Sequence, residues 1–173
     1  MKDVRLLIMD VDGTLTDGGI YIGPAGEEHK RFHIADGLGI RMAHTAGLRT
    51  AVITGIVSEP VRVRMESLGS SDILLGIGNK KNAVQSLKEK YGLLDEQVAF
   101  IGDDLNDLPA FEAVGVRIAV ANAVPQLKQR AHYITTTPGG AGAVREAIEV
   151  ILTAQDRLAR AVDGYVEEIT RAR

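Results

Sequence analysis

Five short aliphatic runs, at 4–9, 50–53, 73–75, 98–101 and 116–120, recur along the chain with helix-length amphipathic stretches between them. A strand that is apolar at every position is buried on both faces, and a helix-length connection joins parallel neighbours. The expected fold is therefore α/β: one parallel, Rossmann-like sheet with helices on both faces. One stretch breaks the rhythm. Residues 19–22 and 30–34 read as two short strands joined by the turn sequence Gly23-Pro24-Ala25-Gly26, so a small projecting β-hairpin is expected at about 18–34. Helices are expected at 36–46, 58–67 with Ser58 as N-cap, 79–90, 106–113, 125–131 and from about 142 onward. In that last segment Val144, Ile148, Ile151, Leu158, Val162 and Ile169 share a face that needs cover, and Gly164 is a candidate break.

A chain of 173 residues, 45% of them hydrophobic, suits one domain, 1–173, ending in a charge-balanced amphipathic tail at about 153–173. Composition excludes several classes. Lys and Arg number 20 against 23 Asp and Glu, and this lack of basic excess argues against a nucleic-acid partner. No run approaches the ~20 apolar residues of a membrane span. Asp3 and Asp10 flank the first apolar run, unlike a signal peptide, so no membrane partner is expected. With no cysteine, a disulfide framework, a thiolate zinc site and a cysteine nucleophile are all excluded. A soluble cytoplasmic protein is expected.

The first aliphatic run ends in Asp10-Val11-Asp12-Gly13-Thr14, two carboxylates at alternate positions followed by a glycine that lets the chain turn away. Ligands of open α/β sheets bind at this end of the strands. A single Asp there is commonly a helix cap or an Asx turn. Here the pattern repeats. The run at 50–53 ends in Thr54-Gly55, a hydroxyl and an open backbone suited to an anion. Lys80 stands at the start of a helix after Gly76-Ile77-Gly78-Asn79, with Lys81 as a solvated neighbour. The run at 98–101 leads into Gly102-Asp103-Asp104-Leu105-Asn106-Asp107. So many carboxylates near Asp10 and Asp12 repel one another unless a cation or a substrate-facing lysine offsets them, and a divalent metal is the natural resolution.

Taken in order, Asp-x-Asp-Gly-Thr, Thr-Gly, Lys and Gly-Asp-Asp-x-x-Asp resemble the four motifs of the haloacid dehalogenase superfamily. Further stretches resemble its 3-deoxy-D-manno-octulosonate 8-phosphate phosphatase subgroup: Thr16-Asp17-Gly18, the run from Phe32 to Ile40, and Gly139-Gly140-Ala141-Gly142-Ala143-Val144-Arg145-Glu146. The resemblance covers roughly residues 4–155.

It implies a phosphatase acting on a small phosphorylated sugar or sugar acid, with Asp10 as nucleophile and Asp12 as general acid and base. Mg2+ would be held by Asp10, the backbone carbonyl of Asp12, and Asp103. Thr54, Gly55 and Lys80 would bind the phosphoryl group. Asp104 would hold a metal-bound water, a role that Asp107 could exchange with it. The segments between Asp10, Thr54 and Lys80 are too short for a large cap domain. The resemblance therefore implies a homotetramer whose neighbouring subunits supply the lid. Two positions depart from the subgroup: Ile56 and Ala141 stand where cations are usual. That opens the alternative of another nonulosonate or sugar phosphate, with Arg62, Arg64 or Arg145 as compensating cations. A non-catalytic phosphate-binding module is the alternative from a different class.

Overall fold

The structure is a computed structural model and describes residues 1–70 and 72–171. In chain order it contains strands β1 (Leu6–Met9), β2 (Tyr21–Ile22), β3 (Glu28–His29), β4 (Arg49–Ile53), β5 (Asp72–Leu74), β6 (Val98–Gly102), β7 (Val116–Ala119) and β8 (Tyr133–Ile134). The helices are α1 (Ile34–Thr45), α2 (Glu59–Ser67), α3 (Lys80–Tyr91), α4 (Leu108–Phe111), α5 (Pro125–Lys128), α6 (Ala143–Ala154) and α7 (Leu158–Arg171).

Six strands form one sheet in the order β5-β4-β1-β6-β7-β8, and every pairing in it is parallel. Each aliphatic run of the sequence overlaps one of its strands; β8, too short to carry a pattern, extends the edge. β1 sits in the middle and is buried at all four positions, as its unbroken apolar sequence requires. The chain leaves β1 towards β4 and β5 and returns to the other side of β1 as β6. This reversal opens a crevice at the carboxyl ends of β1 and β6, where ligands of such sheets bind. Among the described residues the core is aliphatic, with one aromatic pair: Phe100 on β6 meets Phe111 edge to face, 6.1 Å between ring centres. Among the described residues, no helix is long and apolar enough to cross a membrane.

The hairpin is present in a different register from the expected one. Gly23 and Glu27 close the turn through a 2.8 Å backbone bond, so Tyr21 pairs with His29 and Ile22 with Glu28. The second strand is therefore β3, not 30–34. His33 instead caps α1 by accepting from the N–H of Ala35 at 3.3 Å, which starts the helix at Ile34.

The C-terminal segment is two helices, and the break is not at Gly164. It falls at Gln155–Arg157, where Asp156 adopts φ 54° and Gln155 turns back to donate to the carbonyls of Met1 and Val4. Gly164 lies inside α7, where a side chain would collide with Thr45 of α1; its absence lets α7 pack closely on α1. Val144, Ile148 and Ile151 of α6 are fully buried, whereas Val162 and Ile169 of α7 remain 40% and 48% exposed. Ser58 precedes α2, but its hydroxyl makes no cap; it is taken by the hairpin.

Candidate active site

β1, β4 and β6 end side by side, and the residues that follow them face one another. Asp10 follows β1 directly, its N–H bonded to Ile101 of β6 at 3.0 Å. Gly13 has φ +88°, and the carboxylate of Asp103 occupies the space that a side chain there would take. Glycine is thus required on two counts: the left-handed backbone and the close approach of the two motif loops.

Asn79 caps α3 by accepting from the N–H groups of Lys81 and Asn82, which makes Lys80 the first helical residue and points it into the crevice. Its ammonium lies 2.5 Å from Asp10 Oδ1 and 2.6 Å from Asp107 Oδ1, above the Phe100 ring at 5.9 Å. All three charged side chains are at most 4% exposed. Lys81 points away to Glu112, the solvated role expected of it.

Asp10, Asp103 and Asp107 each bring a carboxylate oxygen within 4.8 Å of the others. Burial raises the pKa of Asp10 well above its ordinary value; Asp107 adds to this, and Lys80 opposes it without cancelling it. Burial and Asp107 likewise push Asp103 up to about 6. Burial alone would lower Lys80, but Asp10 and Asp107 hold it protonated and raise it. Three carboxylates stand around one ammonium, so another positive charge would offset the excess of negative charge. Hard oxygen donors at this spacing suit Mg2+.

The expected pair of Asp104 and Asp107 separates in space. Asp107 is fully buried: besides Lys80, it accepts from the backbone N–H of Asp103 at 2.9 Å and of Asp104 at 3.4 Å. Asp104 is exposed and caps the following turn through the N–H of Leu105. The Asp12 side chain stands outside the acidic cluster. Thr54, buried at the end of β4, donates its hydroxyl to Asp12 Oδ2 at 3.4 Å, and Gly55 beside it is exposed.

Asp12 has a second partner that the sequence reading did not single out. Lys30, just past β3, reaches Asp12 Oδ1 at 2.5 Å and Glu28 at 3.0 Å, and Glu28 accepts from Ser58 Oγ at 2.5 Å. Burial pulls the Lys30 pKa down, but the two carboxylates outweigh it and the net shift is upward. The only signal in the sequence was two opposite charges at alternate positions of an extended segment.

A family profile for haloacid dehalogenase-like hydrolases matches residues 53–148. The 3-deoxy-D-manno-octulosonate 8-phosphate phosphatase KdsC of Escherichia coli K12 is 47% identical over 157 residues, 91% of this chain and 84% of that one. The chain belongs to the haloacid dehalogenase-like hydrolase family. Solved structures agree. The 3-deoxy-D-manno-octulosonate 8-phosphate phosphatase of Moraxella catarrhalis, in complex with magnesium, phosphate and KDO, superposes with a TM-score of 0.91 at 41% identity, covering 95% of this chain and 94% of that one. The Yersinia pestis phosphatase of the same name gives 0.89 at 45%, covering 91% and 85%. In this haloacid dehalogenase-like hydrolase two of the three candidate compensating arginines are already engaged. Arg62 is held by Glu59 and Glu66, and Arg145 by Glu149 at 2.6 Å.

Proposed function

We propose that this chain is a Mg2+-dependent phosphatase that converts 3-deoxy-D-manno-octulosonate 8-phosphate to 3-deoxy-D-manno-octulosonate and phosphate. The observation that carries the reading is the buried Asp10, gripped by Lys80 beside Asp103 and Asp107 at the sheet's crevice, in a chain 47% identical to a phosphatase of that name.

A carboxylate oxygen of Asp10 attacks phosphorus in line, the bond from phosphorus to the sugar oxygen breaks, and Asp12 gives that oxygen its proton. An aspartyl-phosphate remains on Asp10. Asp12 then takes a proton from water as the water oxygen attacks phosphorus, returning the Asp10 carboxylate and releasing phosphate. Lys80 and Thr54 border the phosphoryl oxygens, and Gly55 offers its backbone N–H. Asp10, the Asp12 carbonyl and Asp103 would hold Mg2+, which offsets the charge of the carboxylates and the phosphoryl group. Asp107 fixes Lys80 and the turn after β6. Phosphate esters do not cross membranes unaided, so the enzyme shares its substrate's compartment, which this reading takes to be the cytoplasm.

The test is release of inorganic phosphate, with and without Mg2+, from 3-deoxy-D-manno-octulosonate 8-phosphate and a panel of other phosphorylated sugars and sugar acids. The octulosonate ester is expected to give the highest kcat/KM. A higher value for another ester would transfer the assignment to that substrate, as the neutral Ile56 and Ala141 would permit. No release from any ester would leave the phosphate-binding module as the reading.

We also propose a homotetramer. The Asp12 side chain is 31% exposed in the single chain, so the mouth of the site lacks a cover, while Ile20 and Ile22 on the hairpin are 80% and 70% exposed. Hairpins from neighbouring subunits would cover both. Sedimentation at assay concentration is expected to give a tetramer, and a fully active monomer would refute the shared lid.

A further inference from the structure

The Lys30 side chain is only 5% exposed although it belongs to a projecting hairpin, and both of its acceptors are carboxylates. One is Asp12. The other, Glu28, is anchored to Ser58 at the entry to α2. The ammonium is thus fixed from behind and presents one bond forward. It is too enclosed to serve as a contact for a sugar acid, and of the residues proposed to react it addresses only Asp12.

Asp12 has two partners in the structure: Lys30 at 2.5 Å and the Thr54 hydroxyl at a long 3.4 Å. During the first half of the reaction the leaving oxygen of the substrate also pins the Asp12 carboxyl. Once the alcohol has departed that contact is gone, and Lys30 carries most of the orientation while water is activated. We propose that Lys30 is a positioning residue for hydrolysis of the phosphoenzyme, holding Asp12 against the attacking water, with Glu28 and Ser58 as its clamp. The inference rests on the phosphatase reading above and adds a step-specific role for the hairpin.

Lys30→Met keeps the length of the side chain and removes the cation. With Mg2+ and nitrophenyl phosphate, kcat is expected to fall about tenfold to a hundredfold, the range set by general-base help and by displacing a catalytic group by about 1 Å. The first turnover, read as a burst of nitrophenolate, persists, and acid quenching traps a larger phosphoenzyme fraction than in wild type. Lys30→Arg restores turnover and removes the accumulation. A purely structural role would slow burst and steady state together; that result, or an unchanged kcat, overturns the proposal. If circular dichroism shows Lys30→Met misfolded, Glu28→Gln, which leaves the ammonium but loosens its clamp, is read by the same ratio: a raised phosphoenzyme fraction supports the role, and an unchanged one overturns it. A wild-type protein that releases no phosphate would refute the phosphatase reading itself. Wild-type turnover with no change of ratio in the variants would refute only this inference.

Discussion

Asp10→Asn is expected to abolish Mg2+-dependent phosphate release, by at least about a thousandfold, as loss of a nucleophile does elsewhere. Asn keeps the shape of the side chain and still accepts a hydrogen bond from Lys80, so the fold should survive. The geometry goes further. Burial and the nearby Asp107 disfavour the charged form of Asp10 in the folded chain. The neutral amide removes that repulsion, so in the presence of a chelator the variant should melt no lower than wild type. Phosphate assays and thermal melts on the same preparation check both halves. Retained turnover would sink the nucleophile assignment, and a lower melting temperature would sink the electrostatic account.

Lys80→Met should act in the opposite sense on stability. The ammonium sits between Asp10 at 2.5 Å and Asp107 at 2.6 Å, and none of the three is solvated. Without it, Asp10, Asp103 and Asp107 stand within 4.8 Å of one another with no cation. Removing one partner from a buried ionic group costs about 3–5 kcal/mol. Denaturant titration in a chelator should show that loss, and added Mg2+ should recover part of it because the ion offsets the same carboxylates. Turnover should fall about a hundredfold or more if Lys80 binds the phosphoryl oxygens as proposed, since a fixed cation there is of that worth in the transition state. An unchanged midpoint in the chelator would show that the lysine is not the counter-charge of this cluster.

These two variants divide the site between its proposed nucleophile and the charge that makes it tolerable to bury. Asp107 belongs to the second part. It is wholly buried, yet it satisfies Lys80 and two backbone N–H groups at once, so it shapes the turn that presents Asp103. From sequence, Asp104 and Asp107 were interchangeable acidic residues in one loop.

The aliphatic runs decided by themselves that a parallel sheet forms, because burial on both faces demands apolar residues at every strand position and leaves a direct mark in the chain. They also decided where Asp10, Thr54 and Asp103 stand, since each follows such a run at its carboxyl end. Lys80 was legible too, as the start of a helix after Gly76-Ile77-Gly78-Asn79; the structure adds that Asn79 caps that helix. Other features depended on tertiary structure. The hairpin register is set by the closure between Gly23 and Glu27, the end of α6 by the bond of Gln155 to a chain start more than 150 positions away, and the identity of the cluster's third carboxylate by the path of the loop after β6. The pairing of Lys30 with Asp12 is of the same kind. A charged side chain seeks its partner in space, and which partner it meets is fixed only once the intervening chain has folded.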